Sequence, residues 1–216
     1  MNHLRPHKVF DKVAPADRLA TICLPQRESM TSMLERAILI SLLKIIKPRK
    51  IFEFGTYLGE ATVNLAANSE ATIHSLDLGE DHLGEAKTKL DELEFSYATS
   101  RLPNRLAFQD TQYEKRIVPM LGDSTTFDFS PYFHQFDFIV IDGGHQIEVV
   151  RSDTQQAFKM LHQQSPGCIV WHDYGDPRWQ ITEYLDDLSK ELDLYHVSDT
   201  AYVFYLNNCD LTFSSE

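Results

Sequence analysis

Hydrophobic positions along the chain follow two alternating patterns. Residues 27–47 place Met30, Met33, Leu34, Ala37, Ile38, Leu42 and Ile45 at spacings of three and four, which predicts an amphipathic helix ended by Pro48. From Lys50 onward, short runs rich in Ile, Val, Phe and Leu alternate with longer helical stretches. Strands are predicted at 50–54, 72–76, 117–121, 136–141, 168–172, 194–197 and 202–206. Helices are predicted over 60–68 and 81–93, and from His145 through Leu161.

Such alternation implies an α/β fold, a doubly wound, mainly parallel seven-stranded Rossmann-like sheet covered on both faces. Only Ser198-Asp199-Thr200 and its flanks separate the last two strands, so they are expected to close the sheet as an antiparallel hairpin. The polar stretch 96–115 is longer than an ordinary helix-to-strand connection. It reads equally as a lid over a substrate or as a surface excursion over one sheet edge. A length of 216 residues accommodates one domain. Residues 1–49 are expected to form an N-terminal extension and helix packed on the core, and residues 50–216 the ligand-binding domain.

Composition narrows the function. Hydrophobic residues at 43% and charged residues at 24% are ordinary globular proportions and exclude a disordered or fibrous chain. A formal net charge of −12 repels phosphate backbones, so no nucleic-acid partner is expected and a small-molecule substrate fits better. Cys23, Cys168 and Cys209 form no CxxC pair, which argues against structural zinc and suits reduced thiols in the cytoplasm. The first 14 residues lack the apolar stretch of a signal peptide. The longest apolar run, 37–46, is interrupted by Ser41 and Lys44 and is too short to span a bilayer, so no membrane association is expected. Oligomeric state leaves no trace in the sequence.

The chemistry concentrates at strand ends. Glu53-Phe54-Gly55-Thr56-Tyr57-Leu58-Gly59 runs from a buried strand into a glycine-bearing turn before a helix, where the backbone can approach a ligand closely. The GxGxxG dinucleotide fingerprint is absent. The next strand ends in Asp77, placed to bind the two hydroxyls of an adenosine ribose or, on a blander reading, to serve as a loop or cap carboxylate. Later strands end in Asp123-Ser124, Asp142-Gly143-Gly144-His145 and His172-Asp173. Ligands of open α/β sheets bind beyond the carboxyl ends of the strands, so Glu53, Asp77, Asp123, Asp142 and Asp173 are expected to surround one acidic crevice. That crevice repels a pyrophosphate and attracts a sulfonium and an ammonium group, the two cations of S-adenosylmethionine. Asp123 or the Ser124 backbone then faces the adenine edge.

Over about residues 50–206 the chain resembles the class I S-adenosylmethionine-dependent methyltransferases, with Glu53-x-Gly55-x-x-x-Gly59 matching their first motif. Gly122-Asp123-Ser124, Phe127-Asp128-Phe129-Ser130-Pro131-Tyr132, Ile141-Asp142-Gly143-Gly144-His145 and Trp171-His172-Asp173-Tyr174 more narrowly resemble a bacterial branch related to macrolide-sugar O-methyltransferases. The resemblance implies cofactor contacts from Glu53, Gly55, Thr56, Gly59, Asp77, Asp123, Ser124 and Asp142. It implies a divalent cation such as Mg²⁺ on Asp142 and Asp173, and His145 as the base that deprotonates a sugar or other small-molecule hydroxyl. The pattern departs from that branch at His172, where an acidic ligand is expected.

The residues themselves leave alternatives. Asp142 equally contacts only the cofactor or caps a helix, Asp173 equally orders its own loop, and His172 reads as a packed histidine. Asp153 reads as a solvated or paired structural carboxylate. If His145 begins a helix, the positive helix end favours a neutral imidazole, while Asp142 opposes this. Two other functions compete: an NAD-type Rossmann oxidoreductase, and a non-catalytic module that binds S-adenosylmethionine without turnover.

Overall fold

The computed structural model describes residues 1–24, 31–83, 90, 92–100, 105–209, 211 and 213. A strand β1 (Asn2–Leu4) and a short helix α1 (Pro6–Phe10) precede the helix α2 (Met33–Ile46). The first part of the predicted 27–47 helix, residues 25–30 included, lies outside the described residues. α2 starts where Ser32 and Glu35 form a capping box: Ser32 Oγ accepts the Glu35 N–H at 3.2 Å, and the Ser32 N–H donates to Glu35 Oε2 at 2.7 Å. Ile38, Leu39, Leu42 and Leu43 form its buried stripe, and Lys47 ends it in a left-handed conformation just before Pro48.

β2 (Lys50–Phe54) buries Ile51 and Phe52 on opposite faces, as a central parallel strand must. Then follow α3 (Glu60–Ala67), β3 (Thr72–Asp77), α4 (Glu92–Ser100), β4 (Ile117–Leu121), β5 (Phe138–Ile141) and α5 (Ile147–Met160). The chain ends with β6 (Gly167–Trp171), α6 (Ile181–Leu188), β7 (Leu194–Val197) and β8 (Val203–Asn207). The sheet has eight strands in the order β1-β7-β8-β6-β5-β2-β3-β4.

The expected seven-stranded sheet is thus extended by β1, which pairs parallel with β7 and brings residues assigned to the N-terminal extension into the sheet. The predicted hairpin is present, and β8 inserts between β6 and β7, antiparallel to both. Residues 84–89 and 91 of the predicted 81–93 helix lie outside the described residues. α4 runs to Ser100, so the stretch read as an irregular connection from residue 96 begins as helix.

β2 pairs parallel with β3 on one side and with β5 on the other. The chain winds outward through β3 and β4, then returns to β5 and β6 on the opposite side. This reversal opens a crevice beyond the carboxyl ends of β2 and β5. Two apolar cores hold the layers together. One joins Leu42, Val63, Ile73 and Val170 beneath α2 and α3. The other packs Phe52, Phe54, Phe129, Phe136 and Trp171 beneath α5 and α6. No helix among the described residues is long and apolar enough to cross a membrane.

Candidate active site

The turn after β2 positions the site. Gly55 adopts φ 91°, and a Cβ there would stand 2.0 Å from the Asp142 carbonyl oxygen, so only glycine lets this turn nest against the loop after β5. Tyr57 is also left-handed, at φ 46°, and its N–H donates to Asp77 Oδ2 at 2.7 Å. The other Asp77 oxygen accepts the Leu78 N–H, so both are anchored to backbone at the end of β3.

A cleft of about 260 Å³ runs along the carboxyl ends of the strands. Asp77, Asp123 and Ser124 line the part beyond β3 and β4; Gly55 and Thr56 line its middle; Asp142, His145, His172 and Asp173 line the part beyond β5 and β6. Two expected cofactor contacts are not on its wall. Gly59 caps α3 in a left-handed conformation, with the Phe108 ring packed where a Cβ would be. Glu53 is fully buried beneath the turn, its Oε2 accepting from Thr62 Oγ1 and Ser75 Oγ, each at 2.5 Å. Burial pushes its carboxyl up to about 8 against the two hydroxyl bonds, with Asp142 and Asp77 adding repulsion. Four strand-end carboxylates therefore face the cleft, and the fifth supports the turn from below, because its strand position points into the layer that packs on α3.

Beyond β4, Asp123 Oδ1 accepts from the Thr125 N–H and hydroxyl, which fixes the loop that presents Ser124. Ser124 donates to Asp153, a cleft-lining carboxylate only 1% exposed, which burial raises to about 7. Asp153 is thus a buried wall of the site and not a solvated surface group.

Beyond β5 and β6, adjacent parallel strands bring three donors together. His172 Nδ1 stands 3.3 Å from Asp142 Oδ1 and 3.2 Å from Asp173 Oδ1. Donor atoms of Asp142, His172 and Asp173 all lie within 4.8 Å of one another. Asp173 adopts φ 65°, a strained conformation for a non-glycine residue that the chain holds at this corner. Burial disfavours a charged His172, but Asp142, Asp173 and Glu35 outweigh it and hold the imidazole well above its ordinary value. Burial likewise disfavours the Asp173 carboxylate, and His145 and His172 outweigh it, keeping the group well below the usual range.

His145 stands two residues before the first residue of α5, which starts at Ile147 behind the cap residue Gln146. The expected helix start at His145 is corrected, and with it the neutral imidazole that the helix end was to favour. His145 Nε2 faces Asp173 Oδ2 at 3.2 Å, Nδ1 faces Glu94 Oε1 at 3.5 Å, and the His145 N–H donates to the same Glu94 oxygen at 2.7 Å. Burial opposes protonation, yet the two carboxylates outweigh it and raise His145 to about 10. Trp179 stacks on the imidazole, with ring centroids 4.8 Å apart. Sequence reasoning missed Glu94, which comes from the stretch whose pattern is least periodic. It also left out His172 as a donor and Glu35 behind it.

The cleft is also walled by Glu94, Tyr97 and Ala98 of α4, so part of the long polar connection lies over the site. Phe108 and its neighbours pack on the turn at Gly59, tied by the Ala107 N–H to the Leu58 carbonyl.

Comparison with known proteins agrees with this geometry. A family described as "Methyltransferase domain" matches residues 52–174, more than half of the chain. No curated protein sequence matches. Among solved structures, the S-adenosylhomocysteine-bound methyltransferase PaMTH1 of Podospora anserina superposes with a TM-score of 0.58 at 15% identity, covering 94% of this chain and 88% of that one. An O-methyltransferase of Bacillus cereus, also bound to S-adenosylhomocysteine, gives 0.51 at 20% identity over 93% and 88%. The O-methyltransferase TomG of Streptomyces achromogenes, involved in tomaymycin synthesis and bound to S-adenosylmethionine, gives 0.53 at 15% identity over 92% and 87%. At these identities the likeness speaks for the fold, whereas the family match reaches from β2 into the loop after β6, and the chain belongs to this methyltransferase-domain family, as an enzyme of the class I methyltransferase type.

Proposed function

We propose that the chain transfers the methyl group of S-adenosylmethionine to a hydroxyl of a small molecule, with a sugar or glycoside as the favoured acceptor class. The observation that carries this reading is a single cleft with an anchored ribose-type carboxylate, Asp77, beyond β3 and a proton-handling group, His145 with Asp173, beyond β5 and β6. Remaining lone pairs of Asp77 accept from the ribose hydroxyls. Asp123 and Ser124 face the adenine edge, and the Gly55-Thr56 turn leaves its backbone open to the methionine portion. The acidity of the cleft attracts the sulfonium and ammonium groups. Solved relatives bound to S-adenosylmethionine or its product support the cofactor, and the macrolide-sugar motifs support the acceptor class.

Methyl transfer is an in-line displacement on an already activated carbon, so the main tasks of the chain are to orient the partners and remove the hydroxyl proton. His145 Nε2 takes this proton in the neutral form of the ring, the minority form below its raised value of about 10, and Glu94 and Trp179 hold the ring in place. The residues also fit a divalent cation: Asp142 and Asp173 supply carboxylate oxygens beside His172 Nδ1, and donor atoms of all three lie within 4.8 Å of one another. When bound, such an ion supplies Lewis acidity at the acceptor oxygen and draws on the Asp173 charge that otherwise keeps the proton on His145.

Calorimetric titration of the purified protein with S-adenosylmethionine and, separately, NAD, each with and without Mg²⁺, tests the reading. Binding of S-adenosylmethionine alone is expected. Preference for NAD refutes it in favour of the oxidoreductase alternative. Binding followed by no turnover over a panel of glycosides and phenols favours the non-catalytic module.

A further inference from the structure

His172 sits at the centre of three carboxylates contributed by three separate parts of the chain. Its Nδ1 faces Asp142 and Asp173. Its Nε2 faces Glu35 Oε1 of α2 at 3.5 Å. The ring is 7% exposed and packs edge-on against Tyr202, with centroids 5.0 Å apart, so it has little room to turn. Glu35 is equally fixed: Oε2 accepts the Ser32 N–H at 2.7 Å and Oε1 the Ala201 N–H at 2.9 Å.

We infer that Glu35 is a positioning residue that directs the Nδ1 lone pair of His172 toward Asp142 and Asp173, fitting this cluster to a first-row transition dication in preference to Mg²⁺. The inference rests on the cation reading above. A neutral imidazole carries its proton on one nitrogen only, and the partner of the other nitrogen decides which. With a buried carboxylate opposite Nε2, the proton belongs there and Nδ1 is free to donate its electron pair. Carboxylate–histidine–metal arrangements of this kind fix the ring and raise its basicity. The donor chemistry then sets the ion. Mg²⁺ is best served by oxygen ligands alone, whereas an imidazole beside two carboxylates suits ions that accept nitrogen. His172 therefore replaces the acidic residue expected at this position with a change of metal class, and Glu35 makes that replacement effective.

The test uses the full chain, with Co²⁺ and Mg²⁺ as probes, followed by calorimetry and by the visible absorption of bound Co²⁺. Wild type is expected to bind Co²⁺ at least tenfold more tightly than Mg²⁺. Glu35→Gln should weaken Co²⁺ about 10- to 100-fold and shift its absorption, while S-adenosylhomocysteine binds as before. Ser32→Ala removes the hydroxyl cap of α2 and the hydroxyl's contact with Glu35, but keeps the carboxylate and its two backbone N–H bonds, and should leave Co²⁺ affinity largely unchanged. Equal Co²⁺ affinity in Glu35→Gln overturns the role of Glu35. His172→Asp, which leaves the α2 cap intact, should narrow the Co²⁺ preference over Mg²⁺, and an unchanged ratio of the two affinities overturns the nitrogen-donor assignment. If wild type binds neither ion while still binding S-adenosylhomocysteine, the cation reading itself fails and the cofactor reading stands.

Discussion

Replacing Glu53 with glutamine isolates the energetic cost of a carboxyl buried beneath the cofactor turn. In the folded chain this group loses its proton at about 8, against an ordinary 4.5. At 1.36 kcal/mol per pH unit that displacement amounts to about 5 kcal/mol. Because the folded-state value is raised, the stability linked to this proton is fully present below pH 4.5. It declines as the unfolded chain ionises, and is lost once pH passes about 8. Glutamine has no proton to lose, so the variant lacks this decline. Its amide must occupy the place of Oε1, which has no hydrogen-bond partner among the described residues, and this costs about 1–3 kcal/mol. Glu53→Gln should therefore be the less stable protein at pH 5 and the more stable at pH 8.5. Urea unfolding of the ligand-free chain at both pH values measures the crossing. Parallel stability profiles for the two proteins would refute the argument, since they would mean that Glu53 ionises normally in the folded state.

Asp77→Ala should weaken S-adenosylmethionine binding by tenfold or more, since each hydrogen bond to a charged group contributes about 1.5–3 kcal/mol; an unchanged Kd removes Asp77 as the ribose ligand. His145→Ala should leave that Kd within about twofold and slow methyl transfer by about 10²–10⁴, measured once an acceptor is in hand, with undiminished turnover excluding it as the base. Gly55→Ala forces a Cβ onto the Asp142 carbonyl and should lower the thermal midpoint markedly; an unchanged midpoint would show that the turn can relax away from β5. Arg36→Ala breaks an ion pair with Glu60 at 2.5 Å, in which Arg36 is 4% exposed, and should cost about 3–5 kcal/mol in urea unfolding.

The parts of the site that the sequence discloses are those in which pattern and chemistry coincide. Strands β2, β5 and β6 are largely apolar runs buried on both faces, so their ends are readable, and the acidic residues there mark the crevice. Gly55 is readable because the turn that follows a buried strand needs its backbone freedom. β1 was not readable: Asn2-His3-Leu4 carries no periodicity, and its conformation is set by β7, which lies far away in sequence. Glu94 stayed hidden for a related reason. It lies in a helix without a clear apolar stripe, and its importance arises from the distant His145 that it meets only after folding. The charge state of His145 follows the same logic. Neighbours in sequence pointed to a helix end, whereas the groups that control it come from α4 and the β6 loop. Glu35 carried a visible signal, the capping box with Ser32, but that signal marks a helix start and says nothing of His172.

The pairing of β1 with β7 also bears on how the chain assembles. His3 and His196 meet across 193 positions of sequence. β1 must therefore wait until the chain has been made through β7 before it finds its place. Until then β7 presents an open hydrogen-bonding edge, an invitation to pair with another polypeptide. Docking of β1 is expected to be a late folding event, and a bulky fusion at the amino terminus would press on the far rim of the sheet while sparing the mouth of the cleft.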